Sequence, residues 1–193
     1  MRVQFPPPPP REINMIYTDL DGILRELHLP VFGKVPDSWY SLNNNKQNLV
    51  DYINQHMMIL CNAKKTQFCD KIYGEHFKKY DTLHIISHQH KHWIKYTDIW
   101  INNNLKKISN RNLIITTYTN SSNEKLKYLS DNDILIDDSP LFSDYSKIAL
   151  IVYKYNEHIL EKHKPYYVIR NVEDITKLYE KYHKNKICYR FNV

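Results

Sequence analysis

The stretch that decides the fold is Met15-Ile16-Tyr17-Thr18-Asp19-Leu20-Asp21-Gly22. An apolar run ends here in two carboxylates one residue apart, followed by one of only three glycines in the chain. Residues i and i+2 of a strand share a face, so Asp19 and Asp21 are expected to leave the strand end on the same side, and Gly22 permits a sharp turn. Like charges this close are tolerated mainly where a cation neutralises them or one of them is protonated, as in catalytic sites. A surface turn that merely caps a strand is the alternative.

A second pair of acids follows another apolar run. Residues 134–136 are Ile-Leu-Ile, and they precede Asp137 and Asp138 and then the turn pair Ser139-Pro140. Hard cations such as Mg²⁺ need only a few carboxylate or carbonyl oxygens, supplemented by water and substrate phosphate. Asp19, Asp21 and one of the late pair would supply that set. The sequence therefore predicts a divalent-cation site, provided that the two acid pairs come together in space.

Two more polar residues lie between the acid pairs. Ser87 ends the apolar run 83–86, and Lys125 precedes Asp137 by 12 residues. Taken alone, Ser87 is more typical of a strand-end hydroxyl, and Lys125 and Lys127 are more typical of a solvated surface. We prefer Lys125 to Lys127 because it is closer to the end of the strand that precedes it. Asp133 is interpreted as a turn acid before its strand.

The ordered set Asp19-x-Asp21-Gly22, Ser87, Lys125 and Asp137-Asp138 resembles motifs one to four of the haloacid dehalogenase-like (HAD) phosphohydrolases. No single motif is specific, but the order is, and the resemblance extends from about residue 14 to the C-terminus. Within that superfamily, Asp137-Asp138-Ser139-Pro140 followed later by Tyr155-Asn156 is similar to the small 5′(3′)-deoxyribonucleotidases.

This resemblance implies a Mg²⁺-dependent phosphomonoester hydrolase, a phosphatase that works through an aspartyl-phosphate. Asp19 would be the nucleophile, and Asp21 would protonate the leaving oxygen and then deprotonate water. Ser87 and Lys125 would hold the phosphoryl oxygens. The implied metal ligands are Asp19, Asp21, Asp137 and Asp138, and the implied substrate-binding residues are His88 and Gln89, just beyond Ser87.

The implied substrate is a small phosphorylated molecule, a (deoxy)nucleoside monophosphate. A polynucleotide end phosphatase is one alternative, and a non-catalytic nucleotide-binding or nucleic-acid-binding module on the same fold is another. The net charge of +6 favours anionic ligands, but the lysines are dispersed and do not establish nucleic-acid binding. A zinc site in the group His84, His88, His90 and His92 is disfavoured because alternating histidines in a loop rarely converge on one ion.

Six apolar runs predict buried strands, at residues 15–18, 83–86, 113–117, 134–136, 148–153 and 166–169. Helical patterns separate several of them: one covers residues 92–107, and another begins at a capping pair formed by Asn171 and Asp174. We therefore expect an α/β fold, a Rossmann-like three-layer sandwich with a mainly parallel sheet. Ligands of such sheets bind at the carboxyl ends of the strands, where Ser87 and both acid pairs fall.

The interval between Asp21 and Ser87 is too long for a simple crossover. A small helical cap is expected at about residues 30–80, with helices at 46–58 and 65–80. In the HAD superfamily such an insertion covers the pocket and reads the leaving group. The candidates for stacking on a base are Trp39, Tyr40, Phe68 and Tyr73, although aromatic residues of this kind more often just hold a cap together.

The rest of the chain sets broad limits. With 193 residues and 42% hydrophobic content, one domain over residues 14–193 is expected, after a proline-rich leader at 1–13 whose prolines favour polyproline II. The three cysteines, Cys61, Cys69 and Cys188, lack paired spacing, which disfavours a disulfide framework. No run of apolar residues is long enough for a membrane span, and the N-terminus does not resemble a secretory signal. We expect a cytoplasmic protein without a membrane partner.

Overall fold

A six-stranded sheet forms the centre of the computed structural model, which describes residues 15–105, 114–116 and 122–190. The strands are β1 (Ile16–Thr18), β2 (His84–His88), β3 (Ile114–Thr116), β4 (Ile134–Asp137), β5 (Ile148–Ile151) and β6 (Tyr167–Ile169). Their order is β3-β2-β1-β4-β5-β6, and every pairing is parallel. Each strand coincides with a predicted apolar run to within two residues, and residues 113 and 117 of the third run lie outside the described part.

Helices separate the consecutive strands except β4 and β5, which residues 138–147 join without a helix, and this confirms the prediction that helices separate several of the strands. The helices are α1 (His28–Phe32), α2 (Leu49–Gln55), α3 (Ile59–Asn62), α4 (Cys69–Phe77), α5 (Ile94–Asn104), α6 (Asn123–Leu126), α7 (Ile159–Lys162) and α8 (Glu173–Arg190). A 3₁₀ turn at Lys91–Trp93 leads into α5, the helix predicted at 92–107, of which residues 106 and 107 are not described. At the start of α8, Asp174 N donates to Asn171 Oδ1 and Asn171 N donates to Asp174 Oδ2, which confirms the capping pair.

Both faces of the sheet are buried, because alternate strand residues enter two separate apolar clusters. One cluster joins Ile16, Ile136, Ala149 and Ile151 to Trp100 of α5 and to Ile175, Leu178 and Tyr179 of α8. The other joins Leu135, Ile148 and Leu150 to Phe142, Tyr145 and Ile159. This alternation is typical of a parallel sheet covered on both sides, and it confirms the α/β, Rossmann-like class. Among the described residues, no helix is both long and apolar enough to cross a membrane.

The segment between β1 and β2, where a cap was predicted, packs largely into the main core. Leu60 of α3 and Ile72 of α4 belong to the same buried cluster as Ile16. An irregular stretch from 33 to 48 is different, since it carries the exposed apolar side chains Trp39 and Tyr40. The pocket-covering role of this segment stays a prediction.

Some predictions from the sequence fall on other parts of the chain. The leader at 1–13 and the side chain of Cys188 lie outside the described residues, whereas Cys61 and Cys69 are free thiols. Asp133 accepts hydrogen bonds from Ser130 N at 2.7 Å and from Met15 N at 2.8 Å. It is therefore a turn acid that also fixes the start of β1 against β4.

A buried histidine is expected to make the fold sensitive to acid. His76 is 0% exposed, its Nε2 donates to Thr82 O at 2.6 Å, and its Nδ1 lies 3.1 Å from the Tyr179 hydroxyl. Burial lowers the pKa of His76 from 6.5 to about 4, although the bond to Thr82 opposes the shift. As the pH falls below the unfolded value, the unfolded chain takes up a proton that folded His76 refuses, so the free energy of unfolding decreases until the folded pKa is reached.

Between about pH 7 and pH 5, the free energy of unfolding of the wild type should decrease. We predict that this decrease is smaller by about 1–2 kcal/mol in His76→Gln. Urea unfolding at both pH values measures the difference. His158→Gln is the matched control, because His158 is exposed. Equal pH dependence in His76→Gln and the wild type would show that His76 is protonated alike in both states.

Candidate active site

The two acid pairs meet because β1 and β4 are neighbours in register. Ile16 pairs with Ile134 and Thr18 with Ile136, and Asp19 N donates to Ile136 O at 2.9 Å. The next residue of each strand is therefore an acid at the same carboxyl edge, Asp19 beside Asp137. This edge is where parallel α/β sheets bind their ligands.

Three carboxylates converge there. Asp19, Asp137 and Asp138 each offer an oxygen within 4.8 Å of the others, and they are 7%, 0% and 3% exposed. Lys125 of α6 is 3% exposed, and its Nζ lies 2.8 Å from Asp19 Oδ2 and 2.7 Å from Asp137 Oδ2. Lys127 is instead 68% exposed and pairs with Glu124 at 2.6 Å. One buried ammonium thus faces three buried carboxylates, so the group carries excess negative charge when all are ionised.

The pKa values reflect that imbalance. Burial raises the pKa of Asp19 to about 7, even though Lys125 opposes the shift. Burial also raises the pKa of Asp138 well above its ordinary value, and the charges of Asp137 and Asp19 add to the effect. Burial alone would lower the pKa of Lys125, but Asp137 and Asp19 outweigh it and raise that pKa. A bound cation would relieve this repulsion.

The donor set fits a hard divalent cation. Asp19 Oδ1 is buried and accepts no hydrogen bond from the described residues, so one oxygen of the nucleophile candidate is available to a ligand. Carboxylate oxygens are the ligands that Mg²⁺ prefers in proteins. Neither the carboxylate of Asp21 nor the four histidines between residues 84 and 92 are among the three ligands that the described structure brings together.

Tyr155 and Asn156 hold Asp138 in place, and Gly22 packs closely against its carboxylate. The Tyr155 hydroxyl donates to Asp138 Oδ2, and Asn156 Nδ2 donates to Asp138 O at 2.7 Å and to Ile151 O at 2.9 Å. Gly22 has φ of +81°, and a Cβ added there would overlap the carboxylate of Asp138. The glycine of the first motif therefore allows the close approach of the last motif, beyond permitting a turn.

Asp21 has partners of its own. Arg25 Nε donates to Asp21 Oδ1 at 2.6 Å, and Gln89 Nε2 donates to Asp21 Oδ2 at 2.7 Å. Gln89 Nε2 also lies 3.0 Å from Ser87 Oγ, so Ser87, Gln89 and Asp21 form one network. The strand ends at Thr18, so the strict alternation of a strand does not extend to Asp21. The two acids of the first motif therefore have different cations as partners, Lys125 and Arg25.

His88 lies at the end of β2, on the strand face opposite to Ser87. Its Nε2 is buried and has no hydrogen-bond partner among the described residues. Burial, together with the charge of Lys125, lowers the pKa of His88 from 6.5 to about 4. The imidazole is thus neutral at ordinary pH and close enough to Lys125 to be influenced by its charge.

An aromatic wall adjoins the carboxylates. The Tyr155 ring stacks on Tyr153 with centroids 5.4 Å apart, and Trp39 lies 5.6 Å from Tyr155 and is 37% exposed. Of the other predicted stacking residues, Phe68 is 1% exposed and packs in the core, and Tyr73 packs on Phe77 at 4.6 Å. Tyr40 is 76% exposed. Trp39 is therefore the predicted stacking residue that lies near the acids, since its neighbour Tyr155 donates to Asp138.

Sequence reasoning missed Arg25 and gave Tyr155 no role. Arg25 follows Asp21 by four residues, a spacing that is common in surface ion pairs, and no local pattern distinguishes its burial. Tyr155 is 17 residues from Asp138, and only the fold brings it there.

No protein-family model matches this chain, and no curated protein matches it either. The assignment of a function therefore depends on the chemistry of the site.

Proposed function

We propose that the protein is a Mg²⁺-dependent phosphomonoester hydrolase that acts through an aspartyl-phosphate on Asp19, with a nucleoside monophosphate as substrate. The observation that carries the proposal is the state of Asp19. Its carboxylate is buried beside Asp137 and Asp138, one oxygen is paired with Lys125, and the other has no hydrogen-bond partner in the described structure. Such an acid is fixed in place and can still attack a ligand.

Asp19, Asp137 and Asp138 would hold the metal. When bound, Mg²⁺ would neutralise the excess carboxylate charge and draw the phosphoryl oxygens towards the nucleophile. Lys125 adds a fixed positive charge that offsets the repulsion between a carboxylate and a phosphomonoester dianion.

The reaction would proceed in two displacements. Asp19 attacks phosphorus while the bond to the leaving oxygen breaks, and Asp21 gives its proton to that oxygen. Asp21 then accepts a proton from the water that attacks phosphorus, and this attack releases inorganic phosphate and restores Asp19. The hydroxyl of Ser87 and the amide of Gln89, which already contact each other and Asp21, would orient the phosphoryl group and the acid.

The aromatic wall supports a nucleoside as the leaving group. Base-aromatic stacking contributes about 1–3 kcal/mol per base and needs an accessible ring. Trp39 provides such a ring beside Tyr155, whose hydroxyl contacts Asp138. The net charge of +6 also favours an anionic substrate.

Phosphate release from p-nitrophenyl phosphate and from a panel of mononucleotides, with and without Mg²⁺, tests the proposal. We expect turnover that chelation abolishes and that Mg²⁺ restores. Turnover of a phosphorylated oligonucleotide without turnover of mononucleotides would instead indicate a polynucleotide end phosphatase. Absence of phosphate release from every substrate in the panel would contradict catalysis and leave a binding module.

The close approach of Gly22 to Asp138 can be separated from the backbone strain at this position by comparing two alanine variants. Alanine at a left-handed position is strained by about 1–2 kcal/mol, and at Gly22 it also displaces Asp138. We expect Gly22→Ala to lose at least about 100-fold in kcat because a ligand shifted by about 1 Å costs that much. Gly33→Ala is the matched control: Gly33 has φ of +74°, but an added Cβ meets nothing within 4 Å. Thermal unfolding should show that both variants are destabilised, Gly22→Ala more than Gly33→Ala, and phosphate release should fall only in Gly22→Ala.

A further inference from the structure

We propose that Arg25 is a positioning residue which, with Gln89 and Thr97, fixes the carboxylate of Asp21 for proton transfer to the leaving group. The inference rests on the function proposed above. Arg25 is 0% exposed, and its Nε donates to Asp21 Oδ1 at 2.6 Å. Gln89 Nε2 donates to Asp21 Oδ2 at 2.7 Å. Each oxygen of the acid therefore has one fixed donor, which restricts rotation of the carboxylate.

Arg25 is itself held from two helices. Its Nη1 donates to Leu60 O of α3 at 3.0 Å and to Thr97 Oγ1 of α5 at 3.1 Å. The guanidinium also lies over the ring of Trp100, 5.9 Å from its centroid. A planar guanidinium with several donors can satisfy all these partners at once, which an ammonium cannot. The scaffold thus fixes the arginine independently of Asp21.

Thr97 connects the two donors. Its hydroxyl accepts from Arg25 Nη1 and donates to Gln89 Oε1 at 2.8 Å. This bond, with a longer one from Arg25 Nη2 to Gln89 Oε1 at 3.5 Å, orients the Gln89 amide so that its nitrogen faces Asp21 and Ser87. Arg25, Thr97, Gln89 and Asp21 therefore form a closed ring of hydrogen bonds, and Thr97 is the member farthest from the acid.

The difference in exposure between Arg25 and Asp21 indicates that their ion pair does more than stabilise the fold. Replacement of a buried ion pair by apolar residues often leaves stability unchanged or higher, so stability alone is a weak reason to bury an arginine. Asp21 is 21% exposed on its side chain, whereas Arg25 is not exposed at all. A carboxylate has about four lone-pair sites, so two remain for a substrate or a water after Arg25 and Gln89 are satisfied. The arginine is buried and the acid remains reachable.

Thr97→Val tests the inference with little change of volume, and it leaves the charges of Arg25 and Asp21 in place. The readout is kcat/KM, which reports the steps up to departure of the leaving group. The leaving group of a nucleoside 5′-monophosphate is the nucleoside, a strongly basic alkoxide that needs the acid to protonate it. The leaving group of p-nitrophenyl phosphate is p-nitrophenolate, which is weakly basic and needs the acid little. We expect Thr97→Val to lower kcat/KM about tenfold for the nucleotide and less than about threefold for the aryl phosphate, because a misplaced acid loses part of its usual 10²–10⁴-fold contribution.

Two further variants complete the experiment. Thr97→Ser restores the hydroxyl and should return the ratio of the two kcat/KM values to that of the wild type. Arg25→Lys keeps the charge but loses the planar fork, and it should skew the ratio in the same direction as Thr97→Val. If the ratio of the two kcat/KM values is unchanged in both Thr97→Val and Arg25→Lys while Asp19→Asn is inactive, the positioning role of Arg25 is overturned but the proposed function is not. Turnover by Asp19→Asn would overturn the proposed function and this inference together.

Discussion

Asp19→Asn is expected to abolish phosphate release, with a loss of at least about 10⁴-fold in kcat, because an amide cannot replace the attacking carboxylate. The folded protein should not be destabilised. Asparagine removes the charge of one of three clustered buried carboxylates, and Lys125 keeps its contact with Asp137 at 2.7 Å. Loss of activity together with an unchanged or higher unfolding temperature would assign Asp19 to the chemistry rather than to the fold.

Steady-state phosphate release and thermal unfolding measure the two quantities on the same sample. Asp70→Asn is a suitable control, because Asp70 is also an acid but lies on the exposed surface with Lys65 as its partner. Its activity should match that of the wild type. An Asp19→Asn protein that retains a tenth or more of the wild-type rate would contradict the assignment of the nucleophile.

Lys125→Ala is expected to have the second-largest effect, and it acts on both activity and stability. Removal of the ammonium leaves Asp19 and Asp137 without their shared partner in a buried site. Breaking a buried ion pair in this way typically destabilises a protein by about 3–5 kcal/mol. The loss of the charge that faces the phosphoryl group should lower kcat by about 10²–10³-fold, the size found when one such electrostatic contact is removed.

Lys127→Ala is the matched control for that variant, because Lys127 is two residues away in the chain. Its side chain is 68% exposed and pairs with Glu124 on the surface, where an ion pair contributes about 0–1 kcal/mol. Urea unfolding and phosphate release should therefore show little change in Lys127→Ala. A larger loss of activity in Lys127→Ala than in Lys125→Ala would reassign the lysine of the third motif.

The sequence predicted the strands and their common edge because these depend on local patterns. Each apolar run formed a strand, and the position of the acids directly after 15–18 and 134–136 placed them at the carboxyl ends. The register of β1 with β4 then brings Asp19 next to Asp137. Parallel pairing turns such linear information into a three-dimensional site, so the convergence of Asp19 with Asp137 and Asp138 could be anticipated.

The partners of each acid could not be predicted in the same way. Asp21 lies beyond the last residue of β1, and Gln89 reaches it across 68 residues of chain. The burial of Arg25 depends on α3 and α5, whose positions no local pattern specifies. Short-range patterns also cannot assign Tyr155 to Asp138, since that contact follows from the path of the chain after β5.

The central claim is that Asp19 carries the phosphoryl group during turnover, and trapping the covalent intermediate tests it most directly. The protein is mixed with Mg²⁺ and a turned-over phosphomonoester, quenched in acid during the reaction, and digested for mass spectrometry. We predict one added phosphoryl group on the peptide that contains Asp19, and no such group in Asp19→Asn. A phosphoryl group on another residue, or phosphate release in the wild type without any labelled peptide, would contradict the account.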